Sequence, residues 1–168
     1  AELNETFGKV HVLVANAGIA RSGVAAEDTT DEHWLNVNDV NYNGVFWCNR
    51  AFARHMLTSG GGAIVNIGSA SALAGQPFIA PYCASKGALA TLTRNSGYAL
   101  MRNKIRVNQL NIGWMASDGE DRIQREYHGA DADWLEKAAA EQPFGRLIDP
   151  AEVARAVTFL SSSDSGMM

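Results

Sequence analysis

Tyr82 and Lys86, in the stretch "PYCASK", stand four residues apart and share one face of any helix that contains them. A free phenol ionises near pH 10, too high for a proton acceptor at neutral pH, and bringing it to about 7 takes about 4 kcal/mol. A lysine ammonium about 4 Å away, at an effective dielectric of ~20, supplies a similar amount. A Tyr–Lys pair at this spacing is common on helix surfaces and by itself specifies no function: the ring can equally plug a core gap while the lysine reaches solvent. Its neighbours are Ala80, Cys83, Ala84, Ser85, Gly87 and Ala88, small residues that leave room beside the helix.

Two more polar residues stand where such a pair needs help. Ser69 follows the apolar run Ala63 to Ile67, at the carboxyl end where open α/β sheets bind ligands. Asn41 interrupts a helical stretch, although asparagine competes for backbone hydrogen bonds and is a mediocre helix former.

The elements that must position these residues are readable from periodicity. Val10 to Ala15, Ala63 to Ile67 and Ile105 to Leu110 are short, Val- and Ile-rich runs, expected as strands. Their near-continuous apolarity suits strands buried on both faces of a parallel sheet. The first helical stretch starts at "TTDEHW", where Thr29 with Glu32 fits a capping box, and runs to the glycines at 60–62. A second opens near Pro81 and reaches about Arg102. The last has Asp149 as cap, Pro150 at the first helical position and Glu152 closing the box. Val153, Ala156, Val157 and Leu160 form its apolar stripe. Alternating strands and helices predict an α/β fold, a doubly wound parallel sheet with helices on both faces.

A chain of 168 residues, 46% hydrophobic and 19% charged, suits one globular domain. Its formal charge of −4 provides no basic surplus for nucleic acid or an anionic membrane. No apolar run approaches the roughly 20 residues that cross a bilayer. Cys48 and Cys83 lack metal-ligand spacing and are expected as reduced packing residues of a cytoplasmic protein, with no metal site. The first strand is apolar throughout and should lie mid-sheet, while "AELNETFGK" before it offers at most a helix end. Residues 1–168 are therefore expected to be one partial domain of a longer chain that holds further strands.

Taken together, "NAG" at Asn16–Gly18, Asn41 in "NYNGVF", Ser69 in "IVNIGSAS" and Tyr82 with Lys86 in "YCASK" resemble the short-chain dehydrogenase/reductase family. The interval of thirteen residues from Ser69 to Tyr82 matches that family's spacing, and "RVNQLNIGWM" resembles the segment after its sixth strand. The resemblance runs from about Phe7 to Leu160 and implies the C-terminal two-thirds of a Rossmann-like fold. It implies an oxidoreductase using NAD or NADP on a small alcohol or ketone. Tyr82 would be the acid or base, Ser69 would bind the reacting oxygen, Lys86 would hold the nicotinamide ribose, and Asn41 would keep a water in a proton relay. Cofactor contacts are implied at Asn16, Ala17, Gly18, Tyr82, Lys86, Gly113, Met115 and Ser117. A homo-oligomer, dimer or tetramer, is implied through helices spanning about Thr30–Ser59 and Ala80–Arg102. Related enzymes use the same Tyr–Lys pair for epimerase or dehydratase chemistry, and a non-catalytic assembly subunit is the other alternative.

Departures accompany the resemblance. Ile112–Gly113 stands where the family shows Pro-Gly, and Ser117 where a threonine is common. No glycine-rich phosphate turn of strand–turn–helix form lies within residues 1–168, since "SGGGAI" precedes a strand. The phosphate preference between NAD and NADP is therefore open. Trp114 to Gln142 is long for a connection and is expected as a substrate loop, with Trp114, Met115, Tyr127, His128 and Trp134 as possible pocket residues. "DADWLEKAAAEQ" reads as an amphipathic helix with Trp134, Leu135 and Ala138 inward, and "EDRIQRE" as a solvated helix face.

Overall fold

Three parallel strands, β1 (Val12–Ala15), β2 (Gly62–Ser69) and β3 (Ile105–Ile112), pair in the order β1–β2–β3. They belong to a computed structural model that describes residues 2–20 and 23–168. Ala15 pairs with Asn66, and Ser69 with Ile112, so the strands' carboxyl ends form one rim. β2 is buried from Ala63 through Gly68, as its near-continuous apolarity requires of a central strand, and the one amide within it, Asn66, donates to Thr93 Oγ1 at 2.9 Å. Ser69, expected just beyond that strand, is its last residue.

Chain crossovers put helices on both faces of the sheet. Leu13, Ile64, Ile105 and Val107 pack with Phe52 and Met56 of α3 (Val45–Ser59) and Leu100 of α4 (Ala80–Leu100). Arg106 points to the opposite face by strand alternation. There it donates to the carbonyls of Leu160 at 2.7 Å and Ser162 at 3.0 Å, at the end of α7 (Pro150–Ser161). The sheet is doubly wound, as the alternation of elements predicts.

Several local details differ from the sequence reading. The cap of α2 (Asp31–Asn38) is Thr30, which accepts from the His33 N–H at 3.2 Å. Thr29 instead donates to the Ala25 carbonyl at 3.0 Å, so the expected Thr29–Glu32 box does not form. The first long helix is not continuous: a π-helical turn, Asp39–Gly44, separates α2 from α3. Gly60 ends α3 in the left-handed region at φ 92°, and Gly61 follows at 109°. A Cβ at Gly61 would lie 2.6 Å from the Lys104 carbonyl oxygen, so the turn into β2 needs glycine. The Asp149–Pro150–Glu152 box of α7 forms as read, and its stripe of Val153, Ala156, Val157 and Leu160 is half-buried.

The long connection holds two helices, α5 (Asp118–Tyr127) and α6 (Trp134–Glu141). Trp134 and Ala138 pack inward with Leu147, but Leu135 is 42% exposed, one helical step off that face. Cys48 and Cys83 are both free. Cys48 is exposed on α3, so it is not the packing residue that its helical setting suggested. Among the described residues no helix is long and apolar enough to cross a membrane.

Candidate active site

The rim gathers the four residues that spacing singled out. Ser69 closes β2, Tyr82 and Lys86 lie in the first turns of α4, and Asn41 sits in the π-helical turn. Ser69 is near enough to the Tyr82 phenol to favour its ionised form. Ser69 Oγ lies 2.6 Å from Ser71 Oγ and accepts from the Ser71 N–H at 3.2 Å, which orients the serine. Lys86 is buried at 4% exposure, with its Nζ donating to the Ile67 carbonyl at 2.8 Å and standing 5.6 Å from the centre of the Tyr82 ring.

These surroundings tune the two groups differently from the sequence expectation. Burial lowers Lys86 to about 8. Burial also pushes the Tyr82 phenol above its ordinary value; Ser69 pulls it down, while Cys83 and Glu120 push it up. The lysine alone does not bring the phenol toward neutrality here. Low-dielectric surroundings disfavour phenolate and ammonium alike, and the ammonium is turned to the Ile67 carbonyl and the ring face.

Asn41 is fully buried and its amide is committed to the protein. Its Oδ1 accepts from the Ile19 N–H at 2.8 Å, and its Nδ2 donates to the Ile19 carbonyl at 2.8 Å and to Ser85 Oγ at 3.2 Å. Ser85 in turn donates to the Tyr82 carbonyl at 2.7 Å. The π-helical turn supplies the extra residue that carries this amide inward between the turn after β1 and α4. The side chain therefore acts as a brace between those two segments.

Asn16, Ala17 and Gly18 leave β1 on the exposed rim. A Cβ at Gly18 would sit 3.4 Å from Asn41 Oδ1 and 3.5 Å from Lys86 Nζ, in ordinary van der Waals contact, so this turn lies directly beside the lysine. Gly113 follows β3 and is exposed, while the half-buried Met115 pairs with Ile148 in an isolated parallel bridge. Ser117 caps α5, accepting from the Glu120 N–H at 3.2 Å. The expected ligand position is thus already a helix cap.

The fit to a nicotinamide–ribose end is chemical. Lys86 has three N–H donors and spends one on Ile67, and Gly18 leaves the space beside it unfilled by a side chain. No group of three or more His, Cys, Asp or Glu is placed to hold a metal ion among the described residues. Two open hollows lie elsewhere, one lined by Arg146, Asp149, Glu152 and Arg155, the other between α4 and β3. Neither is lined by a buried titratable group, whereas Lys86 at the rim is buried.

Three contributors escaped the sequence reading. Ser71 was legible only as the second serine of a Ser-x-Ser pair at a strand end. Ser85 adjoins Lys86 and reads as one more small residue. Glu120 was hidden in a stretch of charges that looked solvated, yet it is half-buried and acts on Tyr82.

Comparison with known proteins gives a consistent set. The whole chain, residues 1–168, matches a family model described as enoyl-(acyl carrier protein) reductase. Galactitol 2-dehydrogenase of Rhizobium johnstonii is 40% identical over 160 residues, 94% of this chain and 60% of that protein. An NAD+-bound xylitol dehydrogenase has a TM-score of 0.90 at 28% identity, over 99% of this chain and 68% of its own. A gluconate 5-dehydrogenase of Burkholderia cenocepacia, solved with NADP and tartrate, has a TM-score of 0.86 at 32% identity, over 98% and 62%. The chain spans about three fifths of the length of the curated relatives it matches.

Proposed function

The chain belongs to the short-chain dehydrogenase/reductase family, and from that premise we propose that the full-length protein is an NAD(P)-dependent oxidoreductase that interconverts a secondary alcohol and its ketone. The observation that carries this reading is the convergence of Tyr82, Ser69 and Lys86 at one rim, where Ser69 acts on the phenol and the Lys86 Nζ stands 5.6 Å from the centre of its ring. Bound nicotinamide supplies the hydride in reduction and accepts it in oxidation. The rest falls to side chains of this chain.

In reduction, the Tyr82 hydroxyl gives its proton to the substrate oxygen as negative charge develops there. A phenol held above its ordinary pKa by burial keeps that proton at neutral pH. Ser69 donates to the same oxygen, its orientation set by Ser71. In oxidation Tyr82 acts as the phenolate, which the Lys86 ammonium offsets, and takes the alcohol proton to become the neutral phenol. Lys86 also hydrogen-bonds the ribose with the donors that Ile67 leaves free. Asn41 holds the turn after β1 against α4 and so sets the distance between Gly18 and Lys86. Asn16, Ala17, Gly113, Met115 and Ser117 border the cofactor.

The relatives named for galactitol and xylitol favour a polyol or a similar small hydroxy compound as substrate. Assembly as a cytoplasmic dimer or tetramer through α3 and α4 agrees with the exposed Phe46, Trp47, Tyr98 and Met101 on those helices and the turn after α4. The test is a melting-temperature series of the full-length protein with NADH and NADPH. Ligand binding raises the transition by mass action. An unchanged transition with both cofactors at saturation sinks the dehydrogenase reading and favours a non-catalytic assembly subunit.

A further inference from the structure

The N-terminus of α5 carries "SDGE", the residue types of a capping box, but it does not close as one. In α7 the equivalent Glu152 returns to its cap, accepting from the Asp149 N–H at 3.0 Å. Glu120 spends its carboxylate differently: Oε1 accepts from Trp114 Nε1 at 2.7 Å and from Gln124 Nε2 at 2.8 Å. No hydrogen bond to Oε2 is formed among the described residues. The side chain is half-buried rather than extended into solvent.

Its supports are fixed in turn. Ser117 caps its N–H, and the Trp114 carbonyl accepts from the Ile148 N–H at 3.0 Å. The Trp114 ring lies 6.4 Å from that of Trp134, which is buried and donates Nε1 to Asp121 at 2.7 Å. Trp114 follows Ile112 by two residues, and Ile112 is the strand partner of Ser69. This wall therefore rises from the same rim as the catalytic serine, and the Glu120 charge reaches the phenol of Tyr82. Arg125, a cation on the same helix, is paired with Asp121 at 2.8 Å.

We propose that Glu120 is a specificity-determining residue: its carboxylate accepts hydrogen bonds from hydroxyls of a neutral polyhydroxylated alcohol and repels substrates that carry a carboxylate near the reacting carbon. Hydrogen bonds to an ionised acceptor are stronger than neutral ones, and an acceptor held rigid loses little entropy on binding. Two carboxylates brought together at a partly desolvated rim discriminate by repulsion. The half-exposed Trp114 indole adds a flat apolar surface for the C–H face of such a chain. The assignment rests on the dehydrogenase reading above and goes beyond it by naming what the site rejects.

The experiment is steady-state kinetics of the full-length enzyme with NAD+ and NADP+, comparing a hexitol (glucitol) with the aldonate of the same chain (gluconate). The parent is expected to prefer the hexitol. Glu120→Gln, which can still accept from Trp114, should raise KM for the hexitol and lower it for the aldonate, each about tenfold. The ratio of the two kcat/KM values then moves about a hundredfold, mainly through KM. Glu120→Asp, which keeps the charge, should retain the preference for the hexitol. A parent that prefers the aldonate, or oxidises other secondary alcohols but neither of these, overturns the role of Glu120 whatever the variants do. So does a folded Glu120→Gln enzyme whose ratio stays within about threefold of the parent. A parent that oxidises no secondary alcohol with either cofactor sinks the dehydrogenase reading itself.

Discussion

The ionisable groups of the candidate rim and those on the surface of α5 to α7 are moved in opposite senses. At the rim, burial raises the Tyr82 phenol and lowers the Lys86 ammonium to about 8, so both are pushed toward their neutral forms. On the surface, pairing pushes groups toward their charged forms. The hydrogen bond from Arg125 lowers Asp121, and that from Arg146 lowers Glu152 to about 2. Their partners Arg125 and Arg146 are raised by the same contacts. Desolvation wins where water is excluded and charged hydrogen bonding wins where it is not. The first environment suits the acid–base role proposed for Tyr82, and pairs that only pin helices suit the second.

The sharpest way to break this contrast is at the phenol. Tyr82→Phe should lower turnover about a thousandfold while leaving cofactor affinity within a fewfold, as read by single-turnover kinetics and cofactor titration. Near-parental turnover would remove Tyr82 from the chemistry.

The lysine tests the contrast through pH. Between pH about 8 and about 10.5 an unfolded lysine still holds a proton that the folded Lys86 has released. The unfolded state then binds more protons, so stability rises with pH across that window, by on the order of 3 kcal/mol. Tyr82 acts with the opposite sign above pH 10: the folded phenol keeps its proton after the unfolded one has lost it, and stability falls. Urea denaturation at a series of pH values, with Lys86→Met as reference, should show the rise in the parent and lose it in the variant.

The brace comes next. Asn41→Ala strips partners from the Ile19 N–H and carbonyl and from Ser85, and should cost about 2 to 3 kcal/mol in the same denaturation assay. A loss below half a kilocalorie would mean that the turn after β1 is held by something else.

The surface predicts smaller effects. Asp149→Ala removes the acceptor of the Ala151 N–H and should cost about 1 kcal/mol. Glu152, whose folded pKa is depressed, stabilises the protein above the ordinary carboxylate range. That contribution is lost as pH falls from about 4.5 toward about 2. Glu152→Gln should therefore flatten the acid limb of a melting-temperature profile without altering its alkaline limb.

Much of this was legible before any coordinates. Apolar runs gave three strands at nearly their observed positions, because a strand buried on both faces tolerates little else. The cap and proline of α7 act through bonds a few residues long, so they appear in the sequence as they do in the fold. The four rim residues were legible because their interval and order are distinctive. What was not legible depends on where a side chain turns after the backbone is placed. Thr29 and Thr30 both satisfy the pattern of a cap, and only the path of the preceding turn chooses Thr30. Leu135 matches an inward stripe as well as Ala138 does, but the tilt of α6 against Leu147 leaves it outside. Glu120 matches a solvated charge until Trp114, six residues earlier, draws it in.

Sequence by itself determined the alternation of elements, the face that Tyr82 shares with Lys86, and the presence of Ser69 at a strand's carboxyl end. Those are matters of helical and strand periodicity, which local covalent geometry imposes. Only the tertiary structure decided the protonation preferences of that pair, the bracing role of Asn41 and the inward turn of Glu120. Each depends on how much water is excluded and on which distant backbone groups come within hydrogen-bond reach, and neither quantity exists until the chain has folded.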